Sequence, residues 1–290
     1  ESGDSGEGGE AVMENEFIST DWQSVGVFAF PIDAAAVLTH MRQDMRDDWF
    51  SDPLEHKDLY ANIEDLREVI ISQLLEGNGR YEGGKRTICD IPKKGLGIRY
   101  SLETDFYDRF IYQAICSYLI PFFDPLLLPR VLGHRYNKNR TKEKYLFKNR
   151  IELWQTFEGV TYTAISGDQA LAATDIINYF ENITIDIVRF SFESLIPAIA
   201  VSGPEKLRIR NAVSSLCDLL SRWGFSEKHG LPQNRDPSSF IANVVLNAVD
   251  RRMVEKGYDY YRYVDDIRII CEDENSARRA LIDLIGELRT

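Results

Sequence analysis

The chain has 290 residues, 44% hydrophobic and 28% charged, with a formal net charge of −12. That is the composition of an ordinary globular protein, long enough for one large domain or two smaller ones. It holds no run of roughly 18 apolar residues, so no membrane span or membrane partner is expected.

The acidic, glycine-rich start "ESGDSGEGGE" lacks a basic n-region and an apolar stretch, so it does not read as a signal peptide. Residues 1–20 read as a disordered acidic tail or an added remnant. Cys89, Cys116, Cys217 and Cys271 are widely spaced and form no CxxC, which indicates neither a zinc site nor a disulfide framework. A reducing, cytoplasmic setting is the simplest expectation. His40, His56, His134 and His229 show no ligand-like spacing. The charge is uneven: residues 1–70 hold 17 Asp/Glu and 4 Lys/Arg, a net of −13. Residues 80–157 hold 15 Lys/Arg and 8 Asp/Glu, a net of +7. A basic segment beside an acidic one permits a local phosphate-binding surface; a solvated charged face is the bland alternative.

In chain order, residues 31–75 show apolar positions at three- and four-residue spacing and predict helices. Gly77-Asn78-Gly79 breaks the pattern. Residues 80–100 predict short strands with basic loops around "TICDI". A helix is expected from Ser101, as N-cap, to about Phe123, with Pro121 and Pro125 limiting its end. "GHRYNKNRTKEKYLFKNR" reads as basic loop with some helix. "QALAATDIINYF" predicts a buried strand ending near Asp175. Helices are expected at about 184–197, 204–223 and 237–256, the last with Pro237 in its first turn and Gly257 as its C-terminal cap. Asp259–Val264 and Ile267–Cys271 predict a β-hairpin with Asp265-Asp266 at its turn. A last helix covers 274–288.

Asp265 and Asp266 lie between two apolar arms, where bare carboxylates resist desolvation. A structural turn alone would explain them. A third aspartate, Asp175, ends its strand in a similar way. If that strand lies beside the hairpin, three carboxylates converge, and their repulsion calls for divalent cations. Mg²⁺ takes a few carboxylates plus substrate phosphates. Two such ions activate a 3′ hydroxyl and stabilise a leaving pyrophosphate, which is polymerase chemistry.

"YVDD" between apolar strands resembles the YxDD signature of reverse transcriptases. "TDIINYF" resembles their first palm motif, and "GLPQNRDPSSFIANVVLNAVD" the motif that places Pro-Gln-Gly before a helix. "IPKKGLGIRY", "DRFIYQAI" and "LPRVLGHRYNKNR" resemble the fingers motifs of group II intron, retron and related bacterial enzymes. The resemblance covers roughly residues 85–290, and in style it is nearest to abortive-infection and defence-associated reverse transcriptases, which implies antiphage defence.

It implies an α+β right-hand polymerase with fingers and palm: an antiparallel sheet with packed helices. Residues 21–79 would form an acidic helical N-terminal region, 80–165 a fingers-like region, and 166–290 a palm with fingers elements interleaved. The implied activity is RNA-directed DNA synthesis, with dNMP moved from dNTPs to a 3′ hydroxyl. The implied cofactors are two Mg²⁺ ions, with Mn²⁺ as a substitute. The partners are dNTPs, an RNA template and a DNA or protein primer.

By the same resemblance, Asp175 and Asp265 would ligate metal, Asp266 would complete the cluster, and the Ile176 carbonyl would add a ligand. Phe180 would be a steric gate under the sugar, and Gln233 would contact the nucleotide near it. Arg99 with Lys93 or Lys94 would grip the triphosphate. A core role for Phe180, a solvated loop for the lysines and a solvent-facing amide for Gln233 stand as alternatives. Tyr263 would pack near the primer end or sit in the core. Arg135, Lys138 and Arg140 would hold template or primer phosphates. For Arg109 the expectation is an ion pair with Asp105 or Asp108 on its own helix.

Two departures stand out. Asn234 replaces the family glycine, adding a side chain beside the nucleotide. After the hairpin about 20 residues remain, with almost no room for a thumb, so the expectation is either a fragment or a thumb that is degenerate or supplied by a partner subunit or oligomer. Template-independent or protein-primed synthesis on the same fold is one rival. A non-catalytic RNA-binding or assembly module is the other.

Overall fold

The computed structural model describes residues 17–18, 30, 32–50, 53–54, 56–76, 81, 83–84, 86–93, 97–139, 145–167, 169–223, 230–233 and 235–289. The expected amino-terminal tail, apart from 17–18, the Gly77–Gly79 break, Lys94, Arg140 and Asn234 lie outside them.

The architecture is α+β. Strand β1 (Phe17–Ile18) pairs antiparallel with β2 (Ile32–Asp33). Helix α1 (Ala34–Asp44) follows, capped by Asp33, whose carboxylate accepts the Ala36 N–H at 3.0 Å. Helices α2 (Lys57–Ala61) and α3 (Ile63–Glu76) complete the acidic region. Strands β3 (Arg86–Pro92) and β4 (Ile98–Thr104) form an antiparallel hairpin.

Ser101 does not cap a helix. It is a buried residue of β4, and helix α4 (Phe106–Phe123) starts at Asp105, whose side chain accepts the Asp108 N–H at 2.8 Å. Residues 98–104 pair along their whole length with β3, so the backbone groups a helix would need are already used. Alternation along β4 puts Arg99, Ser101 and Glu103 on one face. Pro121 is accommodated inside the last turn of α4, which ends before Pro125.

Helix α4 is the heart of the core. Phe110, Ile115, Leu119 and Phe123 are fully buried, each contributing roughly 1.5–3 kcal/mol of burial free energy. It packs on α1 and on helices α8 (Gly203–Trp223) and α9 (Asp236–Glu255). Helix α7 (Ile185–Leu195) packs on α8 and α9. Arg109 of α4 does not pair within its own helix. Its guanidinium donates to Asp44 at 2.5 and 3.1 Å and to Asp48 at 2.5 and 2.9 Å. The acidic amino-terminal region is thereby tied into the fold by its carboxylates.

The largest sheet among the described residues is three-stranded and antiparallel, in the order β5 (Ala170–Asp175), β7 (Asp266–Cys271), β6 (Asp259–Tyr263). Helices α9 and α10 (Glu274–Leu288) pack against it together with α5 (Arg150–Ser166). Tyr260, Arg262, Ile267 and Ile269 are buried on one face of the sheet. Tyr263 and Arg268, on the opposite face, meet Phe157 of α5. Short helix α6 (Tyr179–Asn182) follows β5. Among the described residues no helix is long and apolar enough to cross a membrane.

Candidate active site

The site begins with strand register. Asp175, the last residue of β5, lies directly opposite Asp266, the first residue of β7, and Asp266 lies opposite Tyr263 of β6. Directly opposed residues share a face, with Cβ atoms roughly 4.5–5.5 Å apart. Asp175, Asp266 and Tyr263 therefore form one row at the end of the sheet, although Asp175 and Asp266 are 91 positions apart in the sequence. The Ile176 N–H donates to the Asp265 carbonyl at 3.3 Å, which ties the exit of β5 to the hairpin tip.

The two-residue turn is Val264-Asp265, one position earlier than an Asp-Asp turn. Val264 has φ of +56°, a left-handed conformation that a β-branched residue rarely adopts. Buried Arg262 holds it there. One guanidinium nitrogen donates to the Val264 carbonyl at 2.7 Å and to Asn243 Oδ1 at 2.8 Å. The rest of the fork binds Asp250 at 2.8 and 2.6 Å, and both side chains are fully buried. Asn243 donates in turn to the Gly133 carbonyl at 2.7 Å. A Cβ on Gly133 would stand 2.8 Å from the Val264 side chain, so glycine is what lets this loop close on the tip.

The row opens into a cleft of about 500 Å³. Asp175, Ile176, Phe180, Gln233, Tyr263, Asp265 and Asp266 line it, with Lys93 and Arg99 from the β3–β4 hairpin. The candidates from the three-stranded sheet and from the β3–β4 hairpin thus share one cavity, within the usual size of a small-ligand site. Gln233 reaches it because its loop docks on α6: Leu231 N–H donates to the Phe180 carbonyl at 3.0 Å and Gly230 N–H to the Glu181 carbonyl at 3.3 Å. A Cβ on Gly230 would lie 1.9 Å from the Ile183 carbonyl oxygen. The Gln233 amide donates to Glu181 at 2.8 Å, and Lys93 reaches Asn178 at 3.5 Å.

Burial raises the Asp265 carboxyl above its ordinary value, Asp266 and Asp175 add to the rise, and Arg99 opposes it. Asp266 is raised in the same way, by burial first, with Arg268 opposing and Asp175 adding. The Arg268 guanidinium lies 3.9 Å from Asp266 and 4.0 Å from Glu158, over the Phe157 ring. Among the described residues no three His, Cys, Asp or Glu side chains converge as a ready-made metal cage. The aspartates stand as neighbours at a sheet end, where the sequence led us to expect convergence. Mg²⁺ needs no such cage, since it binds through one or two carboxylates plus substrate phosphates and water. The hard oxygen donors of Asp175, Asp265 and Asp266 fit that ion.

Three expected phosphate contacts fare differently. Arg135 is consumed inside the fold: it donates to the Asp124 carboxylate at 2.8 Å and to the carbonyls of Leu128 and Val131 at 2.8 and 2.6 Å. A guanidinium saturated by internal acceptors has no fork left for a phosphate. Lys138 is exposed and does not line the cleft. Arg140 lies outside the described residues, as does Lys94.

Sequence reasoning missed Trp49, Trp154, Asn178 and Ser239, all of which line the cleft. Trp154 stands edge-on to Tyr263 with ring centres 5.0 Å apart. It escaped notice because helix α5 has no apolar stripe: Phe157 and Ala164 are buried, but Ile151, Tyr162 and Ile165 are more than 60% exposed.

No family model matches the chain, and no curated protein is similar to it at a significant level. Among solved structures, chains from a Cas6-RT-Cas1–Cas2 complex and from a partial form of that complex are similar, each at 13% identity over 88% of this chain with a TM-score of 0.39. This chain spans 41% of the chain in the partial complex and 26% of that in the other. A likeness this loose leaves the functional reading to the site itself.

Proposed function

We propose that the chain is a nucleotidyltransferase of the reverse-transcriptase type, which extends a 3′ hydroxyl with deoxynucleotides from dNTPs on an RNA template. The observation that carries the reading is the register that sets Asp175 opposite Asp266, with Asp265 at the adjoining turn, in a cleft shared with Phe180, Gln233, Lys93 and Arg99. In this reading the β3–β4 hairpin is the fingers element, and the three-stranded sheet with its helices is the palm.

Asp175, Asp265 and Asp266 would hold divalent cations, Mg²⁺ or Mn²⁺, with the Ile176 carbonyl as a further donor. When bound, such ions lower the pKa of an attacking hydroxyl and neutralise charge on a leaving pyrophosphate. Arg99 and Lys93 bind the triphosphate, Arg as a planar fork and Lys as a point charge. Phe180 occupies the floor under the sugar and excludes a 2′ hydroxyl. Gln233, held by Glu181, presents its amide to the nucleotide. Tyr263, braced by Trp154, packs against the primer end.

The direct test is incorporation of labelled dNTP onto a primer annealed to RNA, with MgCl₂. Incorporation that follows the template sequence and disappears in Asp265→Ala and Asp175→Ala supports the reading. No incorporation on any template or primer would sink it, and a product unrelated to the added RNA would favour template-independent synthesis.

A further inference from the structure

The described residues lining the cleft include one from the acidic amino-terminal region. Trp49 lines it, and the Arg99 guanidinium carbon sits 5.5 Å above the Trp49 ring centre. That is cation–π range. The spacing leaves no room for a planar base between the two, which needs roughly 7 Å, twice the contact distance of stacked groups. The pair is therefore a contact made by the protein for itself.

Its two carriers are locked together by a single side chain. Arg235 is buried, donates to Asp48 at 2.9 Å and to Glu103 at 2.8 Å, and follows directly on the loop that bears Gln233. Asp48 is the neighbour of Trp49 and is also gripped by Arg109. Glu103 shares a strand face with Arg99, and Ser101 between them donates to Glu103 at 2.6 Å. One arginine thus fixes the backbone next to the indole and the strand that carries the guanidinium. Burial makes both ion pairs costly to break. Arg99 is also close enough to Asp265 to favour its charged form.

We infer that Trp49 is a positioning residue: its ring presents Arg99 to the cleft at the place where a triphosphate lies. The inference rests on the polymerase reading and deepens it, because it makes the acidic region a part of the nucleotide site. With the Arg99 guanidinium held over the indole, the fork loses less freedom on binding.

The test is a double-mutant cycle on dNTP incorporation with Trp49→Leu, Arg99→Leu and the pair, recording KM and kcat separately. Trp49→Leu is expected to raise the KM for dNTP about 2- to 5-fold, the worth of an exposed cation–π contact, with kcat and the melting midpoint near wild type. Trp49→Phe should restore most of the KM, since it keeps a ring, and it replaces the leucine variant if that one fails to fold. In the Arg99→Leu background Trp49→Leu should change KM no further. Equal effects in both backgrounds, or a lowered kcat and melting midpoint at unchanged KM, overturn the positioning role while the polymerase reading stands. A wild-type chain that incorporates no dNTP at all overturns both.

Discussion

Arg262→Met probes the device that holds the Val264-Asp265 turn. The substitution removes the charge that faces Asp250 and leaves that carboxylate buried without its partner. Breaking a fully buried pair in this way costs about 3–5 kcal/mol. The Val264 carbonyl and Asn243 Oδ1, now 2.7 and 2.8 Å from the guanidinium, lose their donor as well. Each unsatisfied acceptor adds on the order of 1 kcal/mol or more. A total loss of about 5–7 kcal/mol is a large share of the roughly 5–15 kcal/mol available to a domain. Urea unfolding should show the midpoint falling by about 2 M at an unchanged slope near 3 kcal/mol/M. The double substitution Arg262→Met with Asp250→Leu removes the stranded charge and should recover more than half of the loss. A single variant that loses less than about 1 kcal/mol, or a double variant no better than the single, would refute this account of the turn.

Other consequences follow from the same geometry. Asp175→Asn relieves the repulsion across the β5–β7 pair, so it should stabilise the metal-free fold by about 0.2–1 kcal/mol while abolishing incorporation; thermal melting and a primer-extension assay read the two effects. Gly230→Ala forces a Cβ onto the Ile183 carbonyl, and should cost about 1–3 kcal/mol and raise the dNTP KM as Gln233 leaves its place. Phe180→Ala should admit ribonucleotides, measured as the ratio of NTP to dNTP incorporation. Burial, with Asp105 beside it, raises Asp108 from 3.8 to about 6. The folded state then favours the protonated acid, so this contribution is complete below pH 3.8 and is lost as pH rises through 6. Asp108→Asn should flatten the stability profile between those limits, by up to about 3 kcal/mol.

Much of the fold was legible because it is local. The hairpin at 259–271 shows clean alternation, and helices α7 to α10 carry periodic apolar faces with caps close to the expected ends. The aspartate row was legible only conditionally: the sequence puts Asp175 at a strand end and Asp265-Asp266 at a turn, and it is the β5–β7 register that brings them together. What could not be seen is who pairs with whom. Arg109 looked like an intrahelical partner, but its carboxylates come from 61 and 65 residues earlier. Arg135 looked like a phosphate ligand because a basic loop does not reveal that Asp124 and two carbonyls already occupy its donors. For Arg262, nothing in the neighbouring sequence says that its side chain is wholly buried. Trp49 had no periodicity to announce it; its neighbour Asp48 is held by Arg109 and Arg235.

The central claim is that the facing aspartates at the end of this sheet form the catalytic centre of a polymerase. The measurement that bears on it most directly is primer extension on an RNA template with Mg²⁺, comparing the wild-type chain with Asp175→Asn, which keeps the size of the side chain and removes its charge. The account predicts templated extension by the wild type and loss of at least a hundredfold in the variant, with the fold intact, as expected when a centre that stabilises developing charge is removed. Extension at a similar rate by the variant would contradict it.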